Sequence, residues 1–574
     1  MNRLAVELGL TRLTARALVC RGVSQPEEAR RFLTHDLTGL GDPNQMKDMD
    51  QAVDLLEQAL AQRALIRIYG DYDVDGVCAT AMLVRALRRL DGRVDWYIPH
   101  RVDEGYGVNE EAVRQAKEDG VGLLVTVDCG STARREVALA RELGLQVLIT
   151  DHHRLGDSVG PEDPSAEFAL SAANGLRAGL PPAPVLNPWR QDCAYPFKEL
   201  AGVGVAFKLV TALARSRGLP EGAEFNFLDL VCLGTIGDVV PLLGENRVLV
   251  QNGLLRIPRS RKVGLSALLA ASGLNGAIGS RQVAFGLAPR INAAGRMEHA
   301  EAAVKLLLTQ DRDEAAELAS HLCQQNDRRR QQEQQTLAEA DDLLSREVDL
   351  DRDKVVVLAS ESWHPGVIGI VASRLVERYH RPTLLIALRD GIGKGSGRSI
   401  AALDLWQALR ECEPILTRYG GHHYAAGFSL PADRVAELRQ RMNEVADRWL
   451  TAEDLVREIG LDGEASLEEL SPEAVGELGR LEPFGMGNPA PLVVTAGLCI
   501  SKLTPIGDGA HLALRLRDES GRTAEAVWFG QGRQAGALAP AAAVDVCHRP
   551  RLDEWNGNLR VRLYVEDVCL SGVA

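Results

Sequence analysis

Apolar residues recur at three- and four-residue spacing through the first 62 positions, in LTARALVCRG, PEEARRFL and MDQAVDLLEQAL, which predicts helices. The pattern then changes. ALIRIYG (64–70), VGLLVTVD (121–128) and LQVLITD (145–151) are short apolar runs rich in β-branched residues, separated by helical stretches such as VCATAMLVRALRRL and REVALARELG. Strands alternating with helices predict a parallel sheet with helices on both faces. Residues 154–200 read as looser, with PPAPVLNPW the clearest loop, and 200–233 as helical again. Residues 298–345 read as almost continuous helix with QQNDRRRQQEQQ at its middle, suited to connecting two halves of the chain. KVVVLAS (354–360), GVIGIVASRLVERY and PTLLIAL (382–388) predict a second α/β unit. Beyond 490, PLVVTAGLCI, HLALRLRD, TAEAVWFG and NLRVRLYVEDV alternate with turn signals, notably Asn556-Gly557, and predict a small all-β barrel or sandwich.

Composition narrows the class. Of 574 residues 45% are hydrophobic and 25% charged, which excludes disordered and collagen-like chains and leaves room for several domains. No run approaches the ~18 apolar residues of a membrane span, and the N-terminal stretch lacks the apolar core of a signal peptide. The ten cysteines are scattered without a CxxC pair, so neither structural zinc nor a disulfide framework is expected, and a reducing cytoplasm is.

The strongest chemical signal is that all three early strands end in acids or histidines. ALIRIYG runs into Asp71-Tyr72-Asp73-Val74-Asp75-Gly76, VGLLVTV into Asp128-Cys129-Gly130, and LQVLIT into Asp151-His152-His153. Ligands of open parallel sheets bind outside the carboxyl ends of the strands, so these segments are expected to converge. Carboxylates so close repel unless cations neutralise them, and hard oxygen donors with an imidazole or two suit Mn²⁺ or Mg²⁺. An EF-hand reading of DxDxDG fails, because the twelfth loop position is Met82 and a strand precedes the loop. Asp238, inside the apolar run DLVCLGTIGDVVPLL, is a fourth candidate, since a charge there needs a partner or a metal.

DYDVDG (71–76), VDCG (127–130), TDHH (150–153) and GTIGDVVPL (234–242) resemble the motifs of the DHH phosphoesterase superfamily, and within it the single-strand-specific 5′→3′ exonucleases. APRINAAGRM (288–297), WHPGVIGIVASRL (363–375), GSGRSI (395–400) and GGHHYAAGF (420–428) extend the likeness over nearly the whole chain. It implies an N-terminal helical segment (1–50), a DHH catalytic domain (51–300), a connecting helix (301–348), a DHH-associated domain (349–450) and an OB-fold-like domain (451–574). It also implies two-metal phosphodiester hydrolysis in DNA recombination and repair. Asp71 and Asp73 would hold one ion and Asp75, His152 and Asp238 the other, with Asp128 bridging. A hydroxide between ions about 4 Å apart would attack phosphorus and release a 5′-mononucleotide. Asp151 is expected to orient His152, and His153 either to contact the scissile phosphate or to act as an acid. Single-strand-binding protein and a helicase are the partners the likeness implies, with a monomeric chain. The alternatives are a DHH phosphodiesterase of oligoribonucleotides or cyclic dinucleotides, a pyrophosphatase, and a non-catalytic binding protein. The first two are disfavoured because such relatives are shorter and lack the OB-like part, the last because every expected ligand is present.

For the strand itself, Ser396, Arg398, Gly421 and His422 lie in Gly-rich segments that allow close backbone approach to phosphate. Trp363-His364-Pro365-Gly366 precedes a helix whose N–H groups suit a phosphate. Trp528, Phe529, Trp555 and Tyr564 are candidates for base stacking, although strand aromatics more often serve a core. Charge refines the picture. With 65 basic and 79 acidic residues the net charge is −14, which taken as an average opposes nucleic-acid binding. Residues 246–297, however, hold eight basic residues and no acid, with Arg281, Arg290 and Arg296 the first candidates for gripping a strand. Residues 451–482, with ten acids and two bases, are expected to face solvent or a partner protein.

Overall fold

The structure, a computed structural model, describes residues 2–100, 104–155, 179–538, 543–555 and 558–571. It divides into two compact units. One comprises Leu40–Val240 with Asn252–Arg457, the other Met1–Gly39 with Pro241–Gln251 and Glu458–Ala574. Among the described residues no helix is long and apolar enough to cross a membrane.

The larger unit is built on two sheets. The first has the order β2-β1-β3-β4-β5, all parallel: β1 (Leu65–Tyr69), β2 (Arg93–Tyr97), β3 (Val121–Val127), β4 (Gln146–Thr150) and β5 (Val185–Leu186). Helices on both faces bury β1, β3 and β4, which is why these strands read as continuous apolar runs. The two-residue β5 lies inside the expected loop PPAPVLNPW, where a parallel neighbour recruits Val185 and Leu186. Strand β2, RVDWY, gave no clear apolar run because it is an edge. There Asp95 pairs at 2.6 Å with Arg67 of β1. Four of the helices carry the site: α5 (Val74–Arg88), α8 (Gly202–Ser216), α9 (Leu228–Gly237) and α12 (Ala288–Met297), the last preceded by a π-helical turn at Val283–Leu287.

The expected near-continuous helix over 298–345 is two helices, α13 (Glu301–Leu308) and α14 (Arg312–Glu347). Asp311 starts the second by accepting the N–H groups of Asp313 and Glu314 at 2.8 and 3.0 Å. A mixed second sheet follows, of order β6-β7-β8-β10-β9: β6 (Val356–Ser360), β7 (Thr383–Arg389), β8 (Ile392–Arg398), β9 (Arg418–His422) and β10 (Ala425–Pro431). Alternation assigns its residues to two cores. Val355, Val357, Leu384 and Ile386 meet α17 (Val435–Trp449), while Val356, Leu358, Leu385 and Ala387 meet α14 and α15 (Pro365–Tyr379). Trp363 belongs to the latter core, 1% exposed, with its indole N–H on Glu339.

In the smaller unit five strands close a barrel, β11-β12-β13-β15-β14: β11 (Val493–Ile506), β12 (His511–Arg517), β13 (Thr523–Trp528), β14 (Ala543–Trp555) and β15 (Asn558–Leu570). The predicted turn Asn556-Gly557 between β14 and β15 lies outside the described residues. Leu4, Leu13 and Leu18 of the N-terminal helices share one hydrophobic core with Leu498, Leu512, Trp528 and Leu563 of the barrel. The acidic segment contributes to that union, rather than simply facing outward. Glu477 accepts both the N–H and the hydroxyl of Thr11 at 2.7 and 2.6 Å, Glu469 pairs with Arg16, and Asp462 with Arg21.

Candidate metal centre

Strand order reverses at β1, which has β2 on one side and β3 on the other, so a crevice opens at the carboxyl ends of β1 and β3. Asp71 follows β1 directly and is buried. Asp73 is the N-cap of α5, its carboxylate accepting the N–H groups of Asp75 and Gly76 at 2.9 and 3.1 Å. Asp75, fully buried, accepts from Gly202 at 2.6 Å and Val203 at 3.0 Å, the first amides of α8. Glycine is required at two contacts: a Cβ on Gly202 would lie 2.7 Å from Asp128 Oδ1, and one on Gly234 2.7 Å from Asp75 Oδ1. Asp128, at φ +62°, donates its N–H to Thr150 O and so ties the end of β3 to that of β4. Asp238 ends α9.

These residues converge as the sequence predicts. Ligand atoms of Asp71, Asp73 and Asp128 lie within 4.8 Å of one another, as do those of Asp75, His152 and Asp238, and those of Asp128, His152 and His153. His152 Nε2 is 3.0 Å from Asp128 Oδ1 and 3.6 Å from Asp238 Oδ2, and all three atoms are buried without a hydrogen-bond partner among the described residues. Burial, reinforced by Asp238, pushes the Asp75 carboxyl up to about 8. Burial likewise raises Asp128, together with Asp75, Asp73, Asp238 and Asp71, and it raises Asp238 too. Buried oxygens that repel one another around a partnerless imidazole nitrogen fit one or two divalent cations, which would supply the missing charge.

Asp151 differs from expectation. Its carboxylate bonds the ring of His153, Nδ1 to Oδ1 at 2.7 Å, and not the ring of His152, from which it receives only the backbone N–H. Burial opposes the charge, but His153 and the N–H of Ser131 among others outweigh it and hold Asp151 below the ordinary carboxylate range. The His153 ring is raised in turn, Asp151 overcoming its desolvation. Tyr106, half exposed at the lip, places its hydroxyl 3.1 Å from His153 Nδ1.

Sequence reasoning missed Tyr106 and two buried or half-buried asparagines. Asn187 donates to His153 O at 2.9 Å and Ser131 Oγ at 3.0 Å, binding the two strand-end loops together. Asn292 of α12 accepts the N–H of Val74 at 2.7 Å and holds the DYDVDG loop. The available signal was an amide side chain next to a proline (Asn187-Pro188) and inside an otherwise apolar helix segment.

Of the predicted strand-binding residues, Arg281 is exposed beside the π-turn, and Arg290 of α12 reaches Gly286 O and Cys323 Sγ. Arg296 ends α12 where that helix meets α15: a Cβ on Gly366 would lie 2.4 Å from Arg296 O, and one on Gly295 2.6 Å from Tyr72 O. Ser396 and Arg398 are on β8 and Gly421 and His422 on β9, two Gly-rich strands brought near through β10. Arg398 rests on α15, 3.2 Å from where a Gly369 Cβ would stand. His364 caps α15 itself, Nδ1 accepting the Gly366 N–H at 3.0 Å, so that amide is already engaged. Trp528 is a correction: at 8% exposure it fills the barrel core. Its neighbour Phe529 is 56% exposed and meets His511 and Tyr564, with Arg551 over the Tyr564 ring. The Trp555 side chain lies outside the described residues. The basic stretch is also thinner than it reads, since Arg247 donates to Phe32 O and Leu481 O and Lys262 pairs with Asp229.

A parallel sheet with a carboxylate–imidazole cluster at its switch point, followed by a mixed-sheet domain, defines the DHH class of phosphoesterases. Family models match accordingly: DHH family, N-terminal domain, over residues 65–235, the DHHA1 domain over 352–448, and the RecJ OB domain over 461–567. The single-stranded-DNA-specific exonuclease RecJ of Bacillus subtilis is 40% identical over 100% of this chain and 70% of its own length. Crystal structures of Thermus thermophilus RecJ in complex with Mn²⁺ and with Mg²⁺ superpose with TM-scores of 0.82 and 0.77 at 36% and 34% identity. Both cover 99% of this chain, and it covers 78% and 77% of theirs. The chain belongs to the RecJ family of single-stranded-DNA-specific exonucleases.

Proposed function

We propose that this chain degrades single-stranded DNA from the 5′ end to 5′-mononucleotides with two divalent cations, Mn²⁺ or Mg²⁺, in DNA recombination and repair. The observation that carries it is the cluster of Asp71, Asp73, Asp75, Asp128, His152 and Asp238 at the switch point of the first sheet. Asp71, Asp73 and Asp128 would hold one ion and Asp75, His152 and Asp238 the other. Asp128 Oδ1 lies 3.0 Å from His152 Nε2 and so faces both groups. When bound there, divalent ions would lower the pKa of water and offset charge on the attacked phosphate. Asp151 keeps the His153 ring basic and oriented, so that it can meet the scissile phosphate or protonate the departing 3′-oxygen. Arg296 and Arg290 on α12, then Ser396 and Arg398 against α15, offer donors to the phosphates leading away from the cluster. Gly421 and His422 on β9 continue that surface, and exposed Phe529 with Tyr564 provides a stacking face in the barrel. Single-strand-binding protein and a helicase are the expected partners of a monomeric chain working in the cytoplasm, a setting that suits its ten free cysteines.

End-labelled oligonucleotides test the reading. Single-stranded DNA should release mononucleotides from its 5′ end in Mn²⁺ or Mg²⁺, with duplex DNA and RNA resistant. Release from the 3′ end overturns the polarity, and preference for short RNA or cyclic dinucleotides favours the rival phosphodiesterase.

A further inference from the structure

The second sheet holds its glycines for two different reasons. On β8, a Cβ at Gly393, Gly395 or Gly397 would strike Ile386, Phe428 or Leu405, so the core demands glycine there. Gly420 of β9 and Gly427 of β10 are another matter. They pair directly with each other, neither has a left-handed φ, and a Cβ on either would meet nothing closer than 4.0 Å. Glycine weakens a strand, and where neither packing nor backbone requires it, it marks a close approach by something from outside.

The register shows what flanks these two glycines. Directly opposed residues share a face, so Lys394, Ser429 and Arg418 form one row across β8, β10 and β9, and Arg398, Ala425 and His422 form another. Ser396, Gly427 and Gly420 make the row between them. Successive rows are about 6.8 Å apart, and Lys394 and Arg418 stand about 10 Å apart across β10. The three strands IGKGSGR, AAGFSLP and RYGGH contain no acid. Lys394 and Arg418 are exposed, and no ion pair or side-chain hydrogen bond among the described residues engages either head group. Helix α15 packs over β7 as far as Ser396 and Arg398, while Gly427, Arg418 and His422 beyond it are exposed. Two cationic rows thus border a bare glycine floor.

We infer that this open face is a track for the sugar–phosphate backbone of single-stranded DNA. The strand lies on Gly420 and Gly427, and Lys394 and Arg418 take the phosphate next to the one that Arg398 and His422 meet. The inference rests on the function proposed above. Fluorescence anisotropy of a labelled single-stranded oligonucleotide with the full chain in EDTA, where no hydrolysis intervenes, tests both. Lys394→Gln and Arg418→Gln should keep the thermal midpoint, bind about tenfold more weakly, and each lower the slope of log K against log salt by about 0.7. Gly427→Val should keep or raise the midpoint, since the strand has room for the side chain, yet bind at least as weakly as the charge variants. A methylphosphonate walked along the oligonucleotide should cost the natural chain affinity at one linkage where it costs Lys394→Gln nothing further. Undiminished binding and an unchanged slope in the charge variants, beside tight binding by the natural chain, overturn the track and leave the proposed function intact. So does Gly427→Val binding as the natural chain does, or a lowered midpoint that accounts for its loss. Failure of the natural chain to bind single-stranded DNA removes the function and the inference together.

Discussion

A carboxylate taken out of water without a counter-charge is among the costliest groups a fold can carry. Asp128 is such a group, raised by burial and by four neighbouring aspartates, with an oxygen that accepts no hydrogen bond among the described residues. Removing its charge should relieve the metal-free protein while destroying its chemistry. Asp128→Asn is expected to raise the melting point in EDTA, to lose the stabilisation that Mn²⁺ gives the natural chain, and to lose hydrolysis. A lower melting point in EDTA would refute the repulsion account. In the barrel, burial pushes His548 down to about 4, with Nε2 on Thr495 Oγ1 and Nδ1 buried without a partner among the described residues. The folded form therefore binds fewer protons than the unfolded chain between about pH 4 and 6.5, so stability is complete above that window and falls as pH drops through it. The loss approaches about 3 kcal/mol by pH 4. Hydrogen exchange of β11 and β14 against pH measures it, and His548→Gln should flatten the profile.

Among elements, α12 coordinates three neighbours: Asn292 holds the N–H of Val74, Gly295 abuts Tyr72, and Arg296 abuts the start of α15. Asn292→Ala strands the Val74 amide, which should destabilise the unit by about 1–3 kcal/mol. It should also speed exchange of that amide and cut hydrolysis of single-stranded DNA, whereas unchanged exchange would deny the contact its role. The motif APRINAAGRM was legible for its arginines, but the asparagine's partner lies 218 positions away and no periodicity points to it. Strands β8 and β9 escaped for a related reason. Glycine weakens a strand locally, and antiparallel pairing with β7 and β10 makes GKGSGR extended, as pairing with β10 does for RYGGH. The break between α13 and α14 was legible in principle, since Asp311 with Glu314 three residues on is a helix-start signal.

At the scale of the whole molecule, a net charge of −14 coexists with strand binding because charge is partitioned by burial. Arg247 and Lys262 serve backbone carbonyls and Asp229, which leaves exposed Arg259, Arg261 and Arg281 with half-buried Arg290 and Arg296 as the proposed phosphate contacts. Affinity for single-stranded DNA should therefore fall with salt, and Arg281→Gln should lower the slope of log K against log salt by about 0.7. An unchanged slope would take Arg281 out of the strand's path. The grouping of Met1–Gly39 with the barrel is another whole-molecule property, held by a shared core and by the Thr11–Glu477 pair 466 positions apart.

Local chemistry was enough to determine the strand-end acids and histidines, the apolar runs that precede them and the segment order of helices, sheets and barrel, because periodicity and donor type are properties of neighbours in the chain. Tertiary structure alone decided that Asp151 serves His153 instead of His152, that Trp528 is core while Phe529 is exposed, and that Asn187 and Asn292 brace the cluster. Each of those outcomes turns on a direction or a burial set by residues far away in the chain, and no local pattern encodes it.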